Sequence, residues 1–137
     1  KIDEAGAYPE IIRHEWMQNS GGWLLSAVGS NMLPIFGVMA SATQQNNAAG
    51  GVMSLGTWHH LVGTYENGNI KLYLDGVLVD SRTYPVVTLD GSGLFQVGGE
   101  SPSQFVDQVR IYSEALNVAA VQDLYESERG KHFVIAE

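Results

Sequence analysis

Residues 58–83 read WHHLVGTYENGNIKLYLDGVLVDSRT, and this stretch decides the fold. Two dipeptides punctuate it, Asn67-Gly68 and Asp75-Gly76. A type I′ turn needs positive φ at both central positions. Asn, Asp and Gly adopt that conformation at least cost, and the turn matches the twist of the strands it joins. Two such turns in succession predict a three-stranded antiparallel meander, with strands over 58–66, 69–74 and 77–83. The turns also set the register. Tyr65 is expected opposite Ile70, Gly63 opposite Leu72 and Leu61 opposite Leu74 across the first hairpin. Across the second, Leu74 is expected opposite Val77 and Leu72 opposite Val79.

Side chains alternate faces along a strand, so this register can be checked against the pattern of apolar residues. One face collects Leu61, Tyr65, Ile70, Leu72, Leu74, Val77 and Val79, a coherent core face. The other collects Trp58, His60, Val62, Thr64, Lys71, Tyr73, Asp75, Leu78 and Asp80, a mixture of aromatic, apolar and charged groups. A sheet with one dry side and one partly wet side is expected of a sandwich.

Working outward, Ile11 and Ile12 open a short strand that ends near His14 or Glu15. Residues 19–22, NSGG, read as a turn, and Trp23–Val28 and Leu33–Ala40 as strands. The small, polar stretch 41–51 reads as a loop. Further strands are expected over 94–97 and 105–112. Asn117 is a fitting N-cap for one helix, whose stripe is Val118, Val121, Leu124 and Tyr125 and whose end falls near Arg129-Gly130. Residues 132–136, HFVIA, are apolar and β-prone and predict a final strand.

Composition narrows the function classes. The 137 residues make one domain's worth of chain, and a 45% hydrophobic fraction is enough to fold it. A net charge of −8 argues against nucleic acid or an anionic membrane surface as partner. It suits a neutral ligand or a divalent cation. There is no cysteine, so no disulfide is needed. No apolar run approaches the ~20 residues of a membrane span. The chain opens on Lys1 rather than Met, and a processed or excised piece of a longer protein is expected.

Three segments in this order carry a family resemblance: residues 56–65 (GTWHHLVGTY), 72–76 (LYLDG), and 106–112 (VDQVRIY) followed by Ala115-Leu116. Together with Gly22-Trp23-Leu24-Leu25 they resemble the laminin-G-like domains of the concanavalin-A-like lectin/glucanase superfamily, over roughly residues 11–127. The resemblance implies an all-β fold: an antiparallel β-sandwich of the jelly-roll, concanavalin A-like type with one short C-terminal helix. It also implies an extracellular or cell-surface location. The opening strands usual in the family are not matched, so the single domain 1–137 is expected to lack them. An unpaired edge would follow, and self-association into a homo-oligomer or strand donation from another chain is expected over a lone monomer. A fold-back of 132–136 is the other way to fill the gap.

Candidate sites follow from the resemblance and from residue chemistry. The family often holds a structural calcium ion, which would place a ligand at Asp107. The residue after it is Gln108 where the family usually has a second acid, so Asp107 is read either as a calcium ligand or as a partner of nearby backbone or Arg110. Trp58, His60 and Tyr73 share a face and fit sugar stacking with hydrogen bonds to hydroxyls, or else packing beneath the loop 84–93 or the helix. Tyr8 and Trp16 fit ligand contacts from loops, or plugs at the sandwich rim. Glycoside hydrolysis needs two carboxylates flanking the bond. No strand carries acids on one face at the right spacing, and Glu126 and Glu128 read as a solvated helix end. The expectation is therefore not an enzyme but a binding module for carbohydrate or a protein partner. A structural or assembly domain is the alternative.

Overall fold

The computed structural model describes residues 1–4, 9–14, 20–89, 93–98 and 104–131. Its strands are β1 (Glu10–His14), β2 (Trp23–Val28), β3 (Leu33–Ser41), β4 (Gln44–Ala49), β5 (Leu61–Glu66), β6 (Asn69–Leu74), β7 (Val77–Thr83) and β8 (Phe95–Val97), followed by the helix α1 (Val118–Glu128). They form two antiparallel sheets, one in the order β4-β3-β2-β1-β8 and one in the order β5-β6-β7. This is the expected β-sandwich with one short C-terminal helix.

The meander forms through the turns that predict it. Asn67 and Gly68 have φ of 48° and 81°, and Asp75 and Gly76 of 51° and 80°. The first hairpin pairs Leu61 with Leu74, Gly63 with Leu72 and Tyr65 with Ile70, as expected. The second pairs Leu74 with Val77 but Leu72 with Asp80, not Val79, because a bulge lies between Leu72 and Tyr73. A bulge adds one residue to one strand and increases its twist. Here it lets Val79 reach the core while Asp80 turns to β4. The Asp80 carboxylate accepts the Ala49 N–H at 3.0 Å and Arg82 Nε at 3.0 Å.

The core lies between the sheets. Phe36 and Val38 of β3 and Ala48 of β4 meet Ile70 and Leu72 of β6. Gly63 explains itself here. A Cβ at that position would lie 2.3 Å from Phe36 Cγ, so the ring occupies the space a side chain would need. The Tyr65 hydroxyl donates to Val87 O at 2.7 Å and accepts from the Val87 N–H at 2.6 Å, which fastens the segment after β7 across the core.

Three expectations are corrected. Residues 41–51 are not a loop throughout, since 44–49 form β4. Small and polar residues suffice there because Asn46 and Ala48 alone point into the sandwich, and the short turn from β3 supplies the partner. Residues 58–60 precede β5 rather than belonging to it. The segment 105–112 is not a strand. Its only described bridge is the neighbouring pair Ile2 and Gln104, and Gln108 turns the chain with a φ of 54°. The expected strand 132–136 lies outside the described residues.

The helix is capped as expected. The Asn117 side chain accepts the Ala120 N–H at 2.9 Å, and the Arg129 N–H bonds to Tyr125 O. Among the described residues no helix is long and apolar enough to cross a membrane.

Candidate functional site

The site is a crevice beside β5. It exists because, among the described residues, five strands face three. Across the larger sheet, paired residues form inward rows. One runs Ala48, Phe36, Leu25, Ile12, Val97, and another Asn46, Val38, Trp23, His14, Phe95. The β4 and β3 ends of these rows are covered by β6 and β7, and Ala48 and Val38 are 0% exposed. The far ends are not: Val97 is 45% and Phe95 43% exposed. Between β5 and the segment 104–112 a cavity of about 530 Å³ opens. That is within the ~300–1,000 Å³ typical of ligand pockets.

The crevice has two halves, set by the alternation along β5. The inner half lies between the sheets and is lined by Ile12, Trp23, Leu25, Phe36, Leu61 and Tyr65. It is almost wholly apolar. The outer half lies toward α1 and is lined by Trp58, His60, Val62, Tyr125, Arg110 and Glu128.

Asp75 organises the entrance. It sits in the second type I′ turn, and its two carboxylate oxygens take different partners. Oδ2 is 2.8 Å from His59 Nδ1, and Oδ1 accepts the His60 N–H at 2.8 Å. The Ser54 N–H donates to His59 Nε2 at 2.9 Å. Nε2 therefore accepts and Nδ1 carries the proton, and His59 is held as a fixed strut. His59 and His60 take different partners, His59 with Ser54 and Asp75 and His60 with Glu128 and Tyr125.

His60 faces the helix. Its ring is tilted against Tyr125 with centroids 5.9 Å apart, and Nε2 lies 3.6 Å from Glu128 Oε2. Glu128 is buried, and its other oxygen accepts a hydrogen bond from Arg110. Burial holds the His60 imidazole below its ordinary pKa. The carboxylates of Glu128 and Asp75 pull the other way without overcoming it. The expected solvated helix end is thus corrected at Glu128. The helix packs there, and Arg110 pairs with that carboxylate.

The residues singled out from the sequence are placed as follows. Trp58 and His60 line the crevice together. Tyr73 is 2% exposed and does not line it. It is on the side of the sheet where Tyr125 packs over Gly76, at 2.9 Å from a Cβ built there. Asp107 lines the crevice, and its Oδ1 accepts the Gln108 N–H at 2.7 Å. Tyr8 and Trp16 lie outside the described residues. No three His, Cys, Asp or Glu side chains gather as a metal-ligating group among the described residues. A Ca²⁺ at Asp107 would draw most of its about six to eight oxygens from carbonyls and water. The Asp75 clasp and the Arg110–Glu128 pair were missed from the sequence. The Asp-Gly dipeptide already had a complete explanation as a turn, and Arg110 and Glu128 are joined only by the tertiary fold.

A family model described as the Concanavalin A-like lectin/glucanases superfamily matches residues 1–122. The fold is also similar to the crystal structure of an S-layer domain-containing protein from Clostridium thermocellum ATCC 27405, with a TM-score of 0.43 and 18% sequence identity. That match covers 91% of this chain and 65% of the other. No curated protein matches the chain.

Proposed function

This chain belongs to the Concanavalin A-like lectin/glucanases superfamily, and from that premise we propose that it is a non-catalytic recognition module of an extracellular or surface protein. The ligand is a carbohydrate or a protein partner, bound at the outer half of the crevice. One observation carries the reading: Trp58 and His60 line one concavity with the Arg110–Glu128 pair. Aromatic rings beside a few fixed polar groups suit the apolar faces and hydroxyls of a sugar. Two of the carboxylates that line the crevice, Asp75 and Glu128, are held by other groups of the chain, which supports recognition over hydrolysis. Asp75 clasps the two histidines and Glu128 holds Arg110 and His60. In those positions neither acid is placed to protonate a leaving group as a glycosidase requires.

The experiment is a glycan array at fixed calcium, run with the wild type and Trp58→Ala. A hit weakened about 10-fold or more by the substitution, the scale of a well-packed aromatic contact, supports the sugar reading. A hit indifferent to Trp58 moves the site elsewhere. Silence across the array points to a protein partner or an assembly role, which the exposed Phe95 and Val97 favour as the second reading.

A further inference from the structure

Residues 50–57, GGVMSLGT, join β4 to β5 as an irregular strap. Glycines stand near both of its ends, and Gly51 and Gly56 have φ of 81° and 71°. Such positions absorb a change of backbone torsion at little cost, as hinges do. The strap buries one side chain. Met53 packs with Ile2, Ala27 and Met32 against Leu61 and Leu74, while Val52 and Leu55 are exposed.

The strap's backbone anchors are of two kinds. The N–H groups of Gly50, Met53 and Gly56 donate to the carbonyls of Pro34, Met32 and Ile2 at 3.3, 3.2 and 2.8 Å. A backbone carbonyl accepts at any pH. The Ser54 N–H donates instead to His59 Nε2 at 2.9 Å. An imidazole nitrogen accepts only while it carries no proton, and histidine is the side chain that ordinarily serves as a proton-operated switch.

The two sides of the His59 ring answer a proton differently. Nδ1, 2.8 Å from Asp75 Oδ2, donates in both states, so the carboxylate keeps the ring in place. Nε2 turns from acceptor to donor, and two N–H groups then face each other. Among the described residues Asp75 is the charged group bonded to this ring, and the strap itself carries none. His60, next in the chain, turns its ring to Glu128 and Tyr125. Lys1 and Asp3, which flank Ile2, pair with each other at 3.1 Å.

The strap also ties one wall of the crevice. Gly56 holds Ile2, Ile2 bridges Gln104, and Lys1 and Phe105 exchange backbone hydrogen bonds at 2.7 and 2.8 Å. Ile2, Met53, His59, Gln104 and Phe105 all line the cavity.

We propose that His59 is a proton-operated latch: protonation at Nε2 breaks its contact with Ser54, frees the strap 50–57 and loosens the crevice wall at Ile2 and Phe105. The latch is independent of the ligand reading, which concerns the outer half.

The test is NMR of the full chain, enriched in ¹⁵N, across a pH titration. The neutral His59 ring is expected as the Nδ1–H tautomer. As that ring takes up its proton, the exchange protection of the Met53, Ser54 and Gly56 amides is expected to fall together by about 10-fold or more, the scale of one hydrogen bond. The Phe105 amide, bonded to Lys1 O, is expected to follow them. The Leu72 amide of β6 reports global unfolding and is expected to hold. In His59→Gln the pH dependence of the strap is expected to vanish.

An Nε2–H tautomer would overturn the proposal, since that nitrogen could not accept from Ser54. A strap that keeps its protection once the ring is charged, or that loses it only in step with Leu72, would do the same. So would a ring that stays neutral until Leu72 itself is lost, or a strap response that survives in His59→Gln. A Phe105 amide unmoved while the strap opens would sink the coupling to the crevice wall. The tautomer and the titration are read in the wild type, so they decide the matter whether or not the variant folds.

Discussion

The meander 61–83 and the segment 104–112 are both written in β-prone residues, yet only the first is a sheet. Ile70 and Leu72 are 0% exposed, while Ile111 is 61% exposed. The difference is the distance to a partner. Each meander strand finds its neighbour across two residues, so loop closure costs little and the turn fixes the register. The segment 104–112 has no neighbour next to it in sequence, and Gln108 breaks its extended run with a positive φ. Strand propensity is a fit to a pleated, half-buried surface, and it yields a strand only where that surface is supplied.

The largest effect that would break this comparison is truncation of the two apolar sets. Leu72→Ala is expected to cost about 2–5 kcal/mol in urea unfolding, as buried leucines do. Ile111→Ala is expected to stay within about 0.5 kcal/mol, as exposed substitutions do. Equal losses would mean that Ile111 is buried in solution. Next comes Gly63→Ala, which sets a methyl group against the Phe36 ring. Overpacking there is expected to lower stability by about 1–3 kcal/mol, with the loss largely recovered when Phe36→Leu is added. No recovery would mean that the two sheets are held apart by something other than that ring.

A third, smaller effect concerns the junction of the two regions. The His60 imidazole is held below its ordinary pKa by burial, so the unfolded chain takes up its proton first. Stability is then full above the ordinary imidazole value of about 6.5 and declines as pH falls through it toward the folded value. Its neighbours are Glu128, Asp75 and Arg110, with the Tyr125 ring tilted against it. Thermal melts from pH 8 to pH 5 should show this decline, and His60→Gln should flatten it. An unchanged slope would place the titration elsewhere. The smallest effect is expected at Gln108. Glycine accepts a positive φ without a Cβ penalty, so Gln108→Gly is expected to be neutral or to stabilise by up to about 1 kcal/mol in the same urea assay. A clear loss would mean that Gln108 is extended in solution and that 104–112 is a strand after all.

The same contrast explains what could be read in the sequence. The turns, the first hairpin's register and the capped helix were legible because each rests on residues two to four apart. Strand β4 was hidden by its composition, QQNNAA, because only Asn46 and Ala48 need to be small and inward. The bulge that moves Val79 off Leu72 answers to Asp80 and Ala49, which lie far apart in sequence. At the crevice, Trp58 and His60 were grouped by carrying the alternation back past the start of β5, and they line one wall although residues 58–60 precede that strand. Glu128 was not, because an acid at a helix end looks solvated until Arg110 is brought to it.

The Phe36 ring over Gly63 has a mechanical consequence. It acts as a detent between the two sheets. Sliding one sheet along the other requires lifting an aromatic ring from its seat against close-packed neighbours. Peeling an edge strand breaks backbone bonds one at a time. Under tension the domain should therefore shed an edge strand such as the short β8 before the sandwich shears.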